Sequence, residues 1–298
     1  MEILIRKGLR YLLYKYNSIL KFIPNKEYLE IAYYLNTGRK LNLNNPIYYT
    51  EKLQWLKLNY NNPNLSYLVD KYAVKDFVSS IIGQQYIIPT IGVYDRFEDI
   101  NFDELPKQFV IKCTHDSGGI VICKDKNHLD YLNAKQKIEK CLRRDYYFAG
   151  REMAYKNVPH KILIENYLED DITKELRDYK FFCFDGKVKL MFVASDRQKE
   201  NEDTKFDFFD MNFNHLNITN GHPNSKCHIE KPTKFMEMVK LAEQLSIGFP
   251  HVRCDFYEVN GKVYFGEMTF FHHSGFVLFE PEKWEKQMGS YINLRKYE

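Results

Sequence analysis

Residues 251–271 read HVRCDFYEVNGKVYFGEMTFF, two β-branched and aromatic runs on either side of the pair Asn260-Gly261. An Asn-Gly pair between two such runs is a strong signal for a β-hairpin. The first run carries Asp255 and the second carries Glu267, twelve residues later. Charged residues rarely lie inside strand-forming runs unless they are paired. This hairpin is therefore the first candidate for a functional surface.

The length of the hairpin loop decides which side chains share a face of the sheet. A two-residue loop at Asn260-Gly261 puts Asp255 and Glu267 on opposite faces, because side chains alternate along each strand. A three-residue loop with the glycine in the left-handed conformation reverses that arrangement. It gathers four side chains on one face: Arg253, Asp255, Glu267 and Thr269.

Two carboxylates on one face allow two interpretations. They repel each other unless a cation lies between them, and their hard oxygen atoms suit magnesium, while Arg253 adds fixed positive charge. A solvated face with cross-strand ion pairs is the simpler interpretation of two short strands taken alone. The hairpin by itself leaves both a magnesium site and an ion-pair surface open.

A second unusual stretch is residues 108–124, QFVIKCTHDSGGIVICK. Lys112 interrupts an apolar strand, where a buried ammonium group is costly unless an anion meets it. The turn that follows contains paired glycines, whose backbone N–H groups can approach a ligand closely and form an anion-binding nest. A phosphate clamp and an ordinary hairpin with an edge lysine facing solvent both fit this stretch.

Residues 161–170, KILIENYLED, form a predicted strand that runs straight into a loop at Asn166-Tyr167-Leu168. The backbone N–H and C=O groups of such a loop can bind the edge of a purine. Most strands of this kind only build the core, so this stretch alone is a weak signal.

The composition of the 298 residues is that of an ordinary soluble globular protein, with 44% hydrophobic and 28% charged residues. Lys plus Arg (43) and Asp plus Glu (40) nearly cancel, for a net charge of +3, which argues against nucleic acid as the main partner. The six cysteines contain no CxxC pair, which favours reduced thiols in a cytoplasmic protein over disulfides or zinc.

The chain reads as helices first and antiparallel strands later. Residues 1–80 have helical apolar spacing, and a helix is predicted from near Leu68 to a break at Gly83. Short strands follow, including a hairpin predicted around Asp185-Gly186. Residues 204–231 are polar and predict an ordered but irregular excursion. Helices and hairpins in separate blocks indicate an α+β fold.

The N-terminal segment is basic and amphipathic. Residues 1–40 contain eight basic and three acidic residues, and apolar residues recur at helical spacing within residues 1–25. A helix packed on the body of the protein explains this pattern, and docking on an anionic membrane surface is the alternative. The segment lacks both an apolar stretch long enough to span a membrane and the features of a secretory signal.

In their order along the chain, these segments resemble the ATP-grasp superfamily over about residues 68–290. Asp70-Lys71 is similar to the first nucleotide-binding lysine, and FVIKCTHDSGG (109–119) is similar to the second lysine strand with its Gly-rich phosphate loop. ILIENYL (162–168) resembles the adenine hinge. RCDFYEVNGKVYFGEMT (253–269) resembles the Arg-x-Asp strand and the metal strand. The phrases KCTHDSGG, LRDYKFFCFDGK, VRCDFY and FGEMTFF resemble the branch named for a teichuronopeptide biosynthesis protein.

The resemblance implies the ATP-grasp fold, in which two α+β lobes with antiparallel sheets clasp ATP. It implies a short helical N-terminal region over residues 1–67 and an ATP-grasp domain over residues 68–298. The two lobes are then expected at about residues 68–165 and 166–298.

The resemblance also implies a set of site residues. The ATP-binding residues are Lys71, Lys112, His115, Asp116, Ser117, Gly118, Gly119, Glu165, Asn166, Tyr167, Leu168 and Asp178, with adenine held by main-chain atoms of the hinge. The magnesium ligands are Asp255 and Glu267, with Thr269 in place of the usual asparagine. The residues expected to stabilise the reacting groups are Arg253, Lys180 and Arg197, and a turn at Ser274-Gly275 is expected near the acyl intermediate.

The implied function is an ATP-dependent ligase that joins a carboxylate to an amine through an acylphosphate. Its expected setting is capsular or teichuronic-type polysaccharide biosynthesis in the cytoplasm, at the inner face of the membrane. The expected substrates are a small-molecule or glycan carboxylate and an amine or amino acid. An ATP-dependent sugar phosphotransferase is the alternative. A third interpretation is a nucleotide-binding scaffold without catalytic activity. The intact carboxylates and lysines argue against it.

Overall fold

The structure is a computed structural model that describes residues 2–172, 174, 176–195 and 203–297. Within these ranges the chain forms nine α-helices and ten β-strands. The first five helices precede all strands: α1 (Glu2–Lys15), α2 (Asn25–Thr37), α3 (Tyr49–Asn59), α4 (Leu65–Val69) and α5 (Val74–Ile82). The predicted α+β class is confirmed.

Four antiparallel strands form the small sheet, in the order β1-β4-β2-β3. Their bounds are β1 Thr90–Tyr94, β2 Phe109–Cys113, β3 Ile120–Cys123 and β4 Ile162–Asn166. Helices α6 (Tyr131–Leu142) and α7 (Tyr147–Gly150) lie between β3 and β4 in the chain. Side chains alternate in burial along β2, and its buried side packs with Ile138 of α6 in one apolar core.

Six antiparallel strands form the large sheet, in the order β10-β9-β5-β6-β7-β8. Their bounds are β5 Asp178–Phe184, β6 Lys187–Ser195, β7 Lys205–Phe209, β8 His215–Leu216, β9 Val252–Val259 and β10 Lys262–Thr269. Helices α8 (Phe235–Leu245) and α9 (Lys283–Tyr291) complete the chain order. The hairpin predicted around Asp185-Gly186 is confirmed, and both residues have positive φ.

Two local predictions are wrong. Part of the segment 204–231 is not irregular, because β7 and β8 extend the large sheet and bury Phe206 and Phe208. The helix predicted from near Leu68 to Gly83 is broken, because the carboxylate of Asp70 accepts hydrogen bonds from the backbone N–H groups of Tyr72 (2.8 Å) and Ala73 (3.0 Å). That turn separates α4 from α5.

The β9–β10 hairpin resolves the question of its loop length. The loop has two residues, Asn260 and Gly261, both with positive φ, so the three-residue loop is wrong. A β-bulge at Gly266 shifts the register by one residue and sets Glu267 directly opposite Asp255. The four polar side chains thus share a face as anticipated, but a bulge rather than the loop brings them together.

The N-terminal helices pack on the rest of the chain rather than standing apart. Helices α1 and α2 share an apolar cluster that includes Leu13 and Tyr33. Helix α3 packs in the core under the large sheet and contacts α9, where the hydroxyl of Thr50 donates to the buried carboxylate of Glu285 (2.8 Å). These helices therefore border the region between the two sheets.

Candidate active site

Arg253 of β9 lies at the centre of the polar cluster on the large sheet. Its Nε and Nη2 atoms donate to the two oxygens of Asp255 at 2.7 Å each. Nη2 also lies 3.0 Å from Glu267 Oε1 and 3.0 Å from Thr269 Oγ1. A bidentate guanidinium–carboxylate pair is a strong charge-assisted interaction. This fixed positive charge allows the two carboxylates to lie side by side.

Lys180 of β5 adds a second cation to this cluster. It lies opposite Asp255 in the β5–β9 pair, and its ammonium group donates to Asp255 Oδ2. The same group is 3.5 Å from Asp178 Oδ1, one alternation earlier on β5. The structure therefore brings together Arg253, Lys180, Asp178, Asp255, Glu267 and Thr269, all predicted from the sequence.

Glu267 is ionised at neutral pH. Burial by itself raises the pKa of its carboxyl group, but the positive charges of Lys180, Arg253 and Lys71 outweigh burial and lower the pKa to about 2. Its side chain keeps 41% of its surface accessible, whereas the Asp255 side chain is fully buried. Glu267 is thus the carboxylate of the pair that a ligand can reach.

His272 and Asn220 hold Arg253 from behind. Arg253 Nη1 donates to His272 Nδ1 (2.6 Å), and His272 Nε2 donates to Asn220 Oδ1 (2.7 Å). The Asn220 amide donates in turn to the carbonyl of Val277 (3.0 Å), which fixes its orientation. Burial lowers the pKa of His272 well below its ordinary value, in keeping with a neutral ring. No pattern in the sequence indicates this role of Asn220.

On the small sheet, two lysines converge on one buried carboxylate. Lys112 Nζ lies 2.6 Å from Glu165 Oε2, and Lys75 Nζ lies 2.5 Å from Glu165 Oε1. Burial alone raises the pKa of Glu165, but the two ammonium charges lower it. The edge-lysine interpretation of Lys112 is wrong, because β2 lies between β4 and β3. Lys75 was not predicted, although it follows Lys71 by four residues, one helical turn.

Lys71 connects the turn after β2 to the cluster on the large sheet. Its Nζ donates to the carbonyl of Asp116 (2.6 Å), and its backbone N–H donates to the carbonyl of Thr114 (3.1 Å). Burial lowers the pKa of Lys71, and the negative charge of Glu267 partly opposes that shift. The ammonium group thus faces the carboxylate that the hairpin presents.

The predicted phosphate turn is only partly directed at this region. His115 is buried, its Nε2 donates to the carbonyls of Cys141 (3.1 Å) and Arg144 (3.2 Å), and the Asp116 carboxylate pairs with Arg144. These two side chains point toward the end of α6, so the structure does not bring them to the cluster. Ser117 and Gly118 are exposed at the tip of the turn.

Gly119 is required for packing rather than for ligand approach. A Cβ atom at this position would lie 2.6 Å from Cys113 Sγ and 2.9 Å from Cys141 Cβ. The turn therefore needs a glycine here in order to return the chain into β3.

The predicted adenine hinge lies at the end of β4. The backbone N–H of Asn166 donates to the carbonyl of Pro89 (3.1 Å), and the Tyr167 hydroxyl donates to Glu169 (2.6 Å). Asn166, Tyr167 and Leu168 line neither of the two cavities described below, so their role with adenine stays a prediction. Arg197 lies outside the residues that the structure describes.

Two cavities meet at the polar cluster. The narrow cavity has a volume of about 80 Å³ and lies between the sheets; it is lined by Lys71, Lys75, Ile87, Ile88, Lys112, Ile120, Glu165, Asp178, Lys180, Tyr257, Phe265, Gly266 and Glu267. The wide cavity has a volume of about 580 Å³, within the usual range for small-molecule sites. Lys71, Lys180 and Glu267 line both.

The wide cavity combines aromatic rings with polar groups. Among its lining residues are Ser117, Tyr146, Glu152, Tyr155, Phe192, Phe206, His222, Arg253, Thr269, His273 and Ser274. The rings of Phe206 and His222 lie 4.2 Å apart, and those of Phe206 and His273 lie 5.9 Å apart. Such a surface suits a ligand with both flat apolar faces and hydrogen-bonding groups.

A strained turn at His272–Gly275 forms one wall of the wide cavity. His273 (φ 47°) and Ser274 (φ 55°) occupy the left-handed region, which costs about 1–3 kcal/mol per residue. Lys57 of α3 holds this turn by donating to the carbonyl and the hydroxyl of Ser274, both at 2.8 Å. Burial lowers the pKa of Lys57 to about 7, and the nearby Glu152 partly opposes that shift.

The donor atoms at the cluster fit a magnesium ion in part. Among the residues that the structure describes, no three His, Cys, Asp or Glu side chains converge as a metal site. Glu267 and Thr269 present hard oxygen atoms to the wide cavity, and magnesium commonly takes one or two carboxylates together with substrate phosphates. Asp255 does not fit in this arrangement, because Arg253 and Lys180 engage both of its oxygens.

A family model described as TupA-like ATPgrasp matches residues 51–293 of the chain. No curated protein sequence matches it.

Several solved structures resemble the chain at low identity. D-Alanine–D-alanine ligase from Bacillus anthracis complexed with ATP is 18% identical, with a TM-score of 0.40, and the match covers 69% of this chain and 55% of that one. D-Alanine–D-alanine ligase from Helicobacter pylori is 14% identical, with a TM-score of 0.42, and the match covers 76% of this chain and 59% of that one. The ATP-grasp ligase PsnB complexed with minimal precursor, Mg and ADP is 9% identical, with a TM-score of 0.42, and the match covers 82% of this chain and 66% of that one. The chain thus spans less than two thirds of each.

Proposed function

The chain belongs to the TupA-like ATP-grasp family, and on that premise we propose that it is an ATP-dependent ligase that joins a carboxylate to an amine. One observation carries the proposal: Lys71, Lys180 and Glu267 line both the narrow and the wide cavity. A phosphoryl group bound in the first cavity can therefore meet an acceptor bound in the second, at a point that two cations and one carboxylate surround.

The narrow cavity is the proposed nucleotide site. Lys71, Lys75 and Lys112 come to it from the small-sheet side, and apolar residues such as Ile88 and Phe265 line the remainder. Ammonium groups favour phosphate anions, and flat apolar walls suit a purine ring. In the structure the lysines are satisfied by Glu165 and by the Asp116 carbonyl, so phosphate groups would compete with these partners.

Magnesium bound with ATP would be held by Glu267 and Thr269, whose oxygens face the wide cavity. When bound, this ion would neutralise negative charge on the phosphates during transfer. Asp255 would become available to it only if Lys180 and Arg253 gave up their hydrogen bonds to the carboxylate. Lys180 and Arg253 supply positive charge at the same place from the protein itself.

The proposed reaction has two steps. An acceptor carboxylate oxygen attacks the γ-phosphorus of ATP and the bond to the β–γ bridging oxygen breaks, which gives an acylphosphate and ADP. An amine nitrogen then attacks the acyl carbon, inorganic phosphate leaves, and the nitrogen loses a proton as the amide forms. Lys71, Lys180 and Arg253 stabilise the negative charge that develops in both steps.

The amine step requires a proton acceptor. Glu152 is the carboxyl group, besides Glu267, among the residues lining the wide cavity, and burial raises its pKa. A carboxylate with a raised pKa is a better base at neutral pH. We assign the amine proton to Glu152 on this ground.

We further propose that the acceptor belongs to a cell-surface polysaccharide of the capsular or teichuronic type. The resemblance to the branch named for a teichuronopeptide biosynthesis protein and the aromatic, hydrogen-bonding wall of the wide cavity support a glycan carboxylate as acceptor. The partner would be an amine or amino acid. Use of ATP supports a cytoplasmic setting, at the inner face of the membrane.

Residues 1–25 are the proposed membrane contact. Several large apolar side chains here are exposed, among them Leu4 (74%), Ile19 (63%) and Phe22 (76%), and basic residues such as Arg6 and Lys7 lie beside them. An amphipathic helix of this composition binds in the plane of an anionic membrane surface. In the described part of the chain, no helix combines the length and the apolar character that crossing a bilayer requires.

The decisive experiment measures ADP and phosphate formation from MgATP with pools of uronic acids and amines, supplied together and separately. A ligase releases both products only when a carboxylate and an amine are present together. If ADP and a sugar phosphate form without any amine, the phosphotransferase alternative replaces the ligase. If ADP forms at the same rate without a carboxylate and without an amine, the proposal fails.

A further inference from the structure

We propose that helix α1 adds an anion-binding subsite to the acceptor cavity, made by Arg6 and Arg10, and that the acceptor therefore carries a second oxyanion beyond the carboxylate that reacts. This inference rests on the proposed function, because it takes the wide cavity as the acceptor site.

A groove of about 640 Å³, the outer groove, adjoins the wide cavity. Its lining includes Arg6, Arg10 and Glu280. Four further residues line both spaces: Asn36, His222, Phe276 and Val277. A ligand too long for the wide cavity therefore has a path past α1 through the outer groove.

Arg6 and Arg10 carry unmatched charge in the wall of that path. They are four residues apart on α1, so they lie on the same face one turn apart, and both are half-buried. Among the described residues neither forms an ion pair, whereas Arg39 at the end of α2 pairs with Glu282 (3.1 Å). Glu280 is the acidic residue of the groove wall, and it pairs with neither arginine.

The position of Arg6 is set by the end of α2. Gly38 ends that helix with φ 74°, and an ideal Cβ atom at this residue would collide with Arg6 Nη1. The guanidinium thus lies against a helix C-terminus, whose partial negative charge favours a cation. That partial charge orients Arg6, and among the described residues no carboxylate pairs with its guanidinium.

The boundary between the wide cavity and the outer groove, where Asn36 and His222 line both, suits a sugar ring. The Asn36 amide donates to the Tyr14 hydroxyl (2.9 Å) and to the Ala32 carbonyl (2.7 Å). Among the described residues no donor reaches its oxygen, which can therefore accept from a ligand hydroxyl. The His222 side chain also lines both spaces. Guanidinium groups bind carboxylates and phosphates in a bidentate manner. The occupant is therefore an extended glycan with a distal carboxylate or phosphate.

Binding measurements with defined probes test this subsite. The probes are tetragalacturonate (carboxylates), inorganic pyrophosphate (phosphates) and neutral maltotetraose, and the variant is Arg6→Gln/Arg10→Gln. Lys140→Gln/Lys226→Gln is the matched control, because both lysines are exposed, lie outside the groove and residues 1–25, and the same net charge is lost. We expect the wild type to bind an anionic probe at least tenfold more tightly than maltotetraose. The arginine variant should lose that preference, and the lysine variant should keep it.

The two anionic probes distinguish the source of the oxyanion. Tight tetragalacturonate binding that pyrophosphate does not displace indicates a distal uronate, and displacement by pyrophosphate indicates a phosphate-bearing acceptor. Equal affinity of the wild type for charged and neutral probes overturns the subsite. An equal loss of affinity for the anionic probes in the arginine variant and in the lysine variant also overturns it. Thermal unfolding of each variant verifies that it is folded.

Failure of the subsite and failure of the ligase proposal give different results. Arginine-dependent binding without any amide product supports the subsite and rejects the ligase. Amide formation from an acceptor whose KM is the same in the wild type and in Arg6→Gln/Arg10→Gln supports the ligase and rejects the subsite.

Discussion

At the scale of single residues, the site depends on how charges are distributed around Arg253. Its guanidinium binds Asp255 and Glu267 together, while Lys180 also binds Asp255. Asp255 is thereby committed to protein partners and Glu267 is left facing the cavities. The two carboxylates are adjacent and of the same chemical type, yet we expect their roles to differ.

Substitution Glu267→Gln tests that difference. Removing this negative charge should reduce acceptor-dependent ADP formation by about 10²–10³-fold, the usual cost of one electrostatic group at a transition state. The measurement is ADP release under saturating MgATP. Glu139→Gln, a change on the outer face of α6, is the control and should retain full turnover. Wild-type turnover in Glu267→Gln would remove Glu267 from the proposed mechanism.

The acid side of the stability profile also depends on Glu267. Its folded pKa of about 2 lies below the ordinary value of 4.5, so its ionised form stabilises the folded protein above pH 4.5. That contribution is lost as the pH falls from 4.5 toward 2. Urea unfolding of the wild type and Glu267→Gln should show a difference in unfolding free energy at pH 7 that shrinks by pH 3. A constant difference would contradict this assignment.

At the scale of elements, the bulge in β10 aligns the two carboxylates. A Cβ atom at Gly266 would lie 3.1 Å from the Asp255 carbonyl oxygen, so a side chain there must displace one of the two strands. We expect Gly266→Val to lower the unfolding free energy by about 1–3 kcal/mol and to reduce ADP formation. Tyr264→Val, on the same strand, is the control and should preserve turnover. Full activity in Gly266→Val would show that the bulge is dispensable.

The N-terminal segment, residues 1–25, gives the second prediction at this scale. Leu4→Gln together with Phe22→Gln removes exposed apolar surface without a change of charge, and should weaken binding to phosphatidylglycerol vesicles about tenfold or more. Vesicle sedimentation measures this binding. Ile247→Gln removes an exposed apolar residue elsewhere and should have no effect. Concentration-dependent dimerisation of the wild type, lost in Leu4→Gln/Phe22→Gln, would identify a second copy as the partner instead of a membrane.

At the scale of the whole molecule, the narrow cavity is smaller than a nucleotide requires. Its volume of about 80 Å³ lies well below the roughly 300–1,000 Å³ typical of small-molecule sites. We therefore expect the two sheets to separate when MgATP enters. The division of the chain at residue 68 remains a prediction, and the packing of α3 against α9 links residues on its two sides.

Ligand-induced stabilisation tests the nucleotide site as a whole. MgATP at about 100 times its Kd should raise the free energy of unfolding of the wild type by about 2.7 kcal/mol. Its thermal unfolding midpoint should rise correspondingly. Lys112→Ala should lose most of that shift because a phosphate partner is removed. Lys107→Ala, an exposed lysine before β2, is the control. An equal shift in Lys112→Ala would place the phosphates elsewhere.

Short-range patterns allowed much of the fold to be predicted. The hairpins at Asp185-Gly186 and Asn260-Gly261 are encoded by turn residues that favour positive φ, and their strands by local apolar and aromatic runs. The strands β7 and β8 were missed because they form only by pairing with other strands, β7 with β6 and β8 with β7, and the surrounding residues are polar. Arg197 was predicted to stabilise the reacting groups. It lies outside the described residues, so this role stays a prediction.

By itself, the sequence determined the α+β class, because helices and hairpins depend on local periodicity and turn residues. Its resemblance to ATP-grasp sequences indicated the family and the charged residues Lys71, Lys112, Lys180 and Arg253, because that resemblance depends on the order of motifs. Only the tertiary structure decided which atoms meet. Lys75 with Glu165, His272 with Asn220, and α1 beside the wide cavity are contacts between residues distant in the chain. Such contacts follow from packing and from a single bulge, and neither leaves a periodic signal in the sequence.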